Sequence, residues 1–394
     1  MFRVGQGWLI YEITGNPWSL GLVGAANAIP AIFLNLFGGV FADRLDKRRL
    51  IIFTQLTTGS LIFLLATLTL VGVVESWHIL VVALLAGGVE AFDNPARQAL
   101  YPHLIDRKVM MSAVAMNSVI WQGTRIVAPA IAGVFIDLIN TESALYISGM
   151  GFVVLAVVMV RLKVPPVPRG TQGNPVQDIK EGLKFIKVNS IFSFLIGMTF
   201  FNSFFGMAYV MLMPIFAMDI LEVGAKGQGL LLGMSGAGAL VNTLYIGARG
   251  SVPNRGLAII GGAVLFGLAV AAFALTAEYV GSLSLAMGIM FLMGICNSVY
   301  MISIQSSLQI LVPDRMRGRV MGFYGMTWSI MPLGGLQASA LTSLFTAPIA
   351  IAAGGLAVAF FALGPAMVNP RVRNLSSQLS HIADDPKETE VLSK

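Results

Sequence analysis

Eleven stretches of this chain stay apolar for about the thickness of a lipid bilayer, and that feature leaves it few folds. A spanning helix needs ~20 mainly apolar residues, and runs of that length occupy 19–42, 50–73, 77–100, 113–137 and 143–162. After a polar stretch they resume at 191–214, 228–248, 257–277, 280–308, 321–345 and 348–368. The runs are continuously apolar and do not alternate with a period of two, so they predict helices and not barrel strands. Only 11% of the residues are charged and mean hydropathy is +0.80. A soluble domain carries ~25% charged residues and could not clothe its surface with so few. The expected fold class is an all-α polytopic membrane protein. Cys296 is the one cysteine, so no disulfide forms within the chain.

The net charge is +6, but the basic residues sit between apolar runs and form no patch on a soluble face, which argues against nucleic acid. They read instead as topology signals. Short cytoplasmic loops retain Lys and Arg. Arg3 and Arg125 fall within apolar segments, Lys226 falls on one side, and the other 22 of the 25 gather on the opposite side. The central loop and the C-terminal tail are therefore expected in the cytoplasm of a plasma-membrane protein. Within that loop Ile179, Leu183 and Ile186 interleave with Lys180, Lys184 and Lys187 at helical spacing, the pattern of an interfacial amphipathic helix. The expected organisation is 1–163, an N-terminal six-helix half; 164–189, a cytoplasmic linker; 190–368, a C-terminal six-helix half; and 369–394, a disordered tail.

An internal repeat supports the two halves, parallel repeats being a mark of transporters. At a constant spacing of 208 residues, Gly21 falls on Gly229, Gly39 on Gly247, and Asp106-Arg107 on Asp314-Arg315. The same spacing sets Met1 on residue 209, about 18 positions into the seventh helix. The first helix is therefore expected to be incomplete at its N-terminus.

Ionisable residues at membrane depth cost ~2.5–3.5 kcal/mol each on insertion scales and default to functional candidates. Glu90 lies near the middle of its run and Arg125 near the middle of the next, where antiparallel neighbours could pair them. Asp93 and Arg97 follow Glu90 on one helical face, and Asp93 preceding Arg97 by four residues is the favourable order. A motion that separates a carboxylate from its cation in a low dielectric can switch its protonation, so Glu90, Asp93 and Arg125 are proton-coupling candidates. A permanent Glu90–Arg125 ion pair that fixes helix packing is the competing reading. By the 208-residue spacing Glu90 and Arg125 fall on Ser298 and Leu333, which concentrates proton chemistry in the first half.

Gly39-Val-Phe-Ala-Asp43-Arg44-Leu-Asp46-Lys47-Arg48 resembles the loop signature G-x-x-x-D-R-x-G-R-R of the major facilitator superfamily, with Asp46 in place of the second Gly. Ala91 to Leu100, Gly7 to Glu12 and Arg317 to Gly322 resemble its bacterial exporter branch, which includes the enterobactin exporter and macrolide-efflux-like proteins. The resemblance implies a major facilitator fold of two six-helix halves and export of a small molecule, usually driven by the proton gradient. It implies a gating loop of Gly39, Asp43, Arg44, Lys47 and Arg48, with Asp43 meeting the start of the eleventh helix and the basic residues reaching the acid of helix four, here Asp93; Arg97 belongs to the same gating set. Ala128-Pro129-Ala130-Ile131-Ala132-Gly133 resembles the antiporter signature G-P-x-x-G-G, although a small-residue packing face reads equally well. Pro129 and Gly133 are bend and close-approach positions on either reading.

Met207, Met211, Met213 and Met218 suit an adaptable cavity, lipid-facing filler being the alternative. Neither G-x-x-x-x-G-K-[ST] nor H-E-x-x-H occurs, so no nucleotide, cofactor or metal is expected and the chain is not read as an enzyme. The expected partners are a small-molecule substrate (drug, metabolite or siderophore), protons and membrane lipid, around a monomeric exporter. A transport-inactive remnant or membrane scaffold is the alternative.

Overall fold

The structure is a computed structural model that describes residues 1–104, 110–162, 175–249 and 254–368. Within those limits the side chains of 35–44, 98–99, 101–103, 110–119, 121–122, 125–126, 175–179, 314–315, 317–318 and 365–368 fall outside the description. The described residues are helical and contain no strand. The helices are α1 (Phe2–Thr14), α2 (Pro17–Arg44), α3 (Lys47–Leu70), α4 (Ser76–Leu104), α5 (Met110–Leu138), α6 (Thr141–Arg161), α7 (Pro175–Val188) and α8 (Ser190–Phe201). They continue as α9 (Tyr209–Ile215), α10 (Gly224–Arg249), α11 (Arg255–Val280), α12 (Leu283–Leu311), α13 (Asp314–Ser329), α14 (Met331–Leu344) and α15 (Ala347–Val368). Nine spans among the described residues are long and apolar enough to cross a membrane.

Every apolar run became helix, but two are broken. The run expected at 191–214 extends to Ile220 and contains two wide turns, Asn202–Gly206 and Phe216–Ile220, whose amides reach five residues back. Met207 N–H bonds Asn202 C=O at 2.8 Å and Leu221 N–H bonds Phe216 C=O at 2.9 Å. Pro214 lies between them and has no N–H to offer the regular ladder. The run at 321–345 splits at Ile330 into α13 and α14, and Pro332, with its missing donor, sits just beyond the split. Met207 and Met213 are buried in the core and do not face lipid.

Local chemistry explains the short connections. Gly15 takes φ +56° and caps α1 by bonding Tyr11 C=O at 2.8 Å, a left-handed position that glycine fills without strain. Pro17 then opens α2, where its missing donor costs nothing. Asp46, the departure from the loop signature, N-caps α3 by accepting from Arg49 N–H at 3.1 Å.

The chain divides into two compact units. Unit 1 holds residues 1–172 together with 211–233 and 335–344; α2 packs on α4 and α3 on both α4 and α6. Unit 2 holds 173–210, 234–334 and 345–394, and in it α11 packs between α12 and α15. The 208-residue repeat recurs in their packing. Gly59 of α3 faces Gly149 and Phe152 of α6, and Gly267 of α11 faces Gly355 and Ala359 of α15. Asn27 of α2 meets Gly87 of α4, and Ser235 of α10 meets Gly294 of α12. The linker helix α7 docks in unit 2: Ile186 is buried beside Phe192, and Glu181 pairs with Arg319 at 2.6 Å.

Candidate functional site

Two clusters of charged residues lie along α4 in unit 1. Nearer its start, Arg3 of α1 donates through Nη2 to the Glu90 carboxylate. The pair is open, with side chains 60% and 51% exposed. Beside it Gln6, buried on the same helix as Arg3, donates to Ile79 C=O at 3.2 Å and accepts from Asn27 Nδ2 at 3.3 Å. The partner expected for Glu90 was Arg125; the structure supplies Arg3, and the side chain of Arg125 lies outside the described residues.

One turn further along α4, Asp93 is enclosed. Its Oδ1 accepts from Thr54 Oγ1 at 2.7 Å and Gln55 Nε2 at 2.8 Å, and its Oδ2 accepts from Arg97 Nε at 2.6 Å. The Asp93 and Arg97 side chains are 16% and 28% exposed. The two acids thus have different constraints. Moving Asp93 strands three donors in a low-dielectric setting, whereas moving Glu90 parts one open ion pair. Sequence depth alone put Glu90 in the more desolvated place; the packing of α3 against α4 makes Asp93 the more enclosed.

Of the gating loop, Gly39, Asp43 and Arg44 lie outside the described side chains. Lys47 is buried in the first turn of α3. Arg48 does not reach Asp93. It donates to Met159 C=O at 2.8 Å and to Val160 C=O, using carbonyls that the C-terminus of α6 leaves unpaired and placing a cation at the negative end of that helix.

At the other end of unit 1, helices from the two sequence halves cross closely. Tyr11 of α1 donates its hydroxyl to Asp219 in the wide turn at 216–220, and these two positions are themselves 208 residues apart. Thr141 donates to Glu12 at 3.2 Å. A Cβ on Gly229 would lie 2.7 Å from Pro129 C=O oxygen and 3.2 Å from Gly133 Cα, so α5 and α10 meet at backbone contact. A Cβ on Gly21 would lie 2.9 Å from Leu336 Cα. The repeat therefore places α2 on α14 as it places α10 on α5. Gly133 is at that crossing, and Pro129 lies inside α5 one turn before it. Tyr11, Asp219, Thr54 and Gln55 were not among the residues that sequence reasoning chose. The 208-residue spacing could have found the first two; nothing in the sequence marks the others.

In unit 2 the position equivalent to Glu90 carries a neutral network. Ser298 accepts from Asn242 Nδ2 at 3.2 Å and lies 3.1 Å from Thr243 Oγ1. Buried amides and hydroxyls here satisfy one another without charge.

A family model described as transmembrane secretion effector matches residues 1–392. The chain is 25% identical over 354 residues to the staphyloferrin A transporter of Staphylococcus aureus, covering 87% of this chain and 85% of that protein. It is 25% identical over 374 residues to the multidrug efflux pump Tap of Mycolicibacterium fortuitum, covering 92% and 87%. Among solved structures, the nucleoside transporter NupG superimposes with a TM-score of 0.67 over 92% of this chain and 93% of that one, at 15% identity.

Proposed function

We propose that this chain, which belongs to the transmembrane secretion effector family of the major facilitator superfamily, exports its substrate by proton-coupled alternating access. Membership makes it a polytopic membrane transporter of small molecules; direction, coupling and mechanism are the proposal. The cargo is a drug, metabolite or siderophore leaving the cytoplasm across a bacterial plasma membrane, with the central loop and C-terminal tail on the cytoplasmic side and one chain sufficient for transport.

One observation carries the reading: a carboxylate and a cation, Glu90 of α4 and Arg3 of α1, face each other in the open. Ionisable groups at membrane depth are costly and persist where they work. A shift of α1 against α4 parts Arg3 from Glu90, and a proton taken up at the freed carboxylate is the coupling step of this proposal. When Arg3 returns, that proton is expelled. Arg125, the partner that the sequence suggested, is the second cation of this exchange. Asp93 holds α4 to α3 through Thr54 and Gln55, with Arg97 bonded to it one turn along α4, while it proceeds.

The test begins with mass spectrometry of medium from cells lacking the protein and from complemented cells, which identifies the exported compound. Its efflux is then followed in energised cells carrying Glu90→Gln. The expected result is loss of uphill export with downhill movement retained. Uphill export at the normal rate by Glu90→Gln overturns the assignment.

A further inference from the structure

Unit 1 carries an apolar groove of about 560 Å³ bounded by α2, α3 and α4. Its volume lies in the range of small-molecule sites, ~300–1,000 Å³. Asn27 and Gly87 hold α2 and α4 at backbone contact, a Cβ on Gly87 falling 2.9 Å from Asn27 Cα. Next to this crossing Pro30 interrupts the α2 ladder, and Pro30, Leu34, Gly88 and Val89 begin the groove. Phe53 and Leu45 line its outer part and are exposed. Among the described lining residues the one side chain with a polar atom is Thr54, whose hydroxyl is occupied by Asp93 at 2.7 Å and Ile51 C=O at 2.9 Å. Among the described residues the lining offers no free polar side chain, which suits a hydrocarbon occupant.

The α2–α3 end of the groove is charged. Arg49 lies one turn before Phe53 on α3 and next to the lining Leu50. Its side chain is 88% exposed and, among the described residues, makes a 3.8 Å ion pair with Asp46 three residues away, a contact that exposure leaves weak. Lys47 and Arg48 precede it in the chain.

We infer that this groove binds one anionic phospholipid, an acyl chain lying along Phe53, Leu34 and Gly88 and the headgroup phosphate on Arg49. The cytoplasmic leaflet is the anionic one, and a basic residue near it attracts its lipids. The placement in that leaflet rests on the cytoplasmic assignment of the α2–α3 connection; the binding itself does not depend on transport. Thr54 forms the groove wall and holds Asp93 from behind, so a seated chain supports the Asp93 cluster.

Native mass spectrometry of the purified full-length chain tests this with phosphatidylglycerol and phosphatidylcholine of identical acyl chains. One phosphatidylglycerol is expected to be retained about fivefold over phosphatidylcholine, the preference one cation supplies. Arg49→Gln removes that preference. Gly88→Leu, whose new Cβ meets only Leu34 Cδ1 at 3.6 Å and Pro30 Cβ at 3.8 Å, fills the groove and removes the bound lipid. Leu85→Trp, a substitution at an exposed lining residue, does the same if Gly88→Leu unfolds. Equal retention of both lipids by the unaltered chain, a preference that survives Arg49→Gln, or retention that survives the groove-filling variants overturns the inference. Because no variant is read by export, failure here is separable from failure of the proposed function.

Discussion

Asp93→Asn and Glu90→Gln each replace one acid on α4 by its amide, yet the structure gives them different costs. In Asp93→Asn the amide oxygen still accepts from Thr54 and Gln55, but the NH2 group turns its hydrogens toward Arg97 Nε, which stood 2.6 Å from Oδ2. A hydrogen bond to a charged group is worth ~1.5–3 kcal/mol, and the retained pair weakens once the acceptor is neutral. Both partners are less than one-third exposed, so solvent screening removes little. The sum is roughly 2–4 kcal/mol, or ~30–1,000-fold in the folding equilibrium. Glu90→Gln breaks a pair more than half exposed on both sides, worth ~0.2–1 kcal/mol in the manner of exposed pairs. Reversible unfolding of the detergent-solubilised protein by titration with a denaturing detergent measures both. The cycle completed with Arg97→Gln and the Asp93→Asn, Arg97→Gln double variant should show a coupling of ~0.5–3 kcal/mol. Equal losses in the two single variants, or strict additivity in the cycle, refute the division of labour between a fixed acid and a mobile one.

Three further outcomes are expected. A cysteine at Gln172→Cys in a Cys296→Ala background should resist an impermeant thiol reagent applied to intact cells; robust labelling reverses the topology. Cysteines at Tyr11 and Asp219 in the same background should be joined by a short bis-methanethiosulfonate crosslinker, long enough to replace the tyrosine's reach, in a link that stops export until it is reduced; export that continues in the crosslinked protein shows that this crossing need not open. Gly229→Leu pushes a side chain into Pro129 C=O and Gly133 Cα and should cost ~1–3 kcal/mol of overpacking, seen as loss of Tyr11–Asp219 crosslinking; unchanged crosslinking shows that α5 and α10 tolerate separation.

The sequence by itself determined the class of fold, since each apolar run had only helix available once its backbone polar groups were in hydrocarbon. It also determined the internal repeat, because the glycines at 21 and 229 stand where helices touch at backbone distance and no larger side chain fits. The breaks near Pro214 and Ile330 were written in the sequence as Pro214 and Pro332 and were masked by the uninterrupted hydropathy around them. Tertiary structure alone decided which charge meets which. Arg3 and Glu90 are 87 residues apart, Thr54 and Asp93 are 39 apart, and Arg48 reaches the end of α6 across 111. Periodicity tells which face of a helix a residue occupies, but the rotation and height of the neighbouring helix set its partner. Those are fixed by packing summed over the whole interface, in which one ion pair is a minor term.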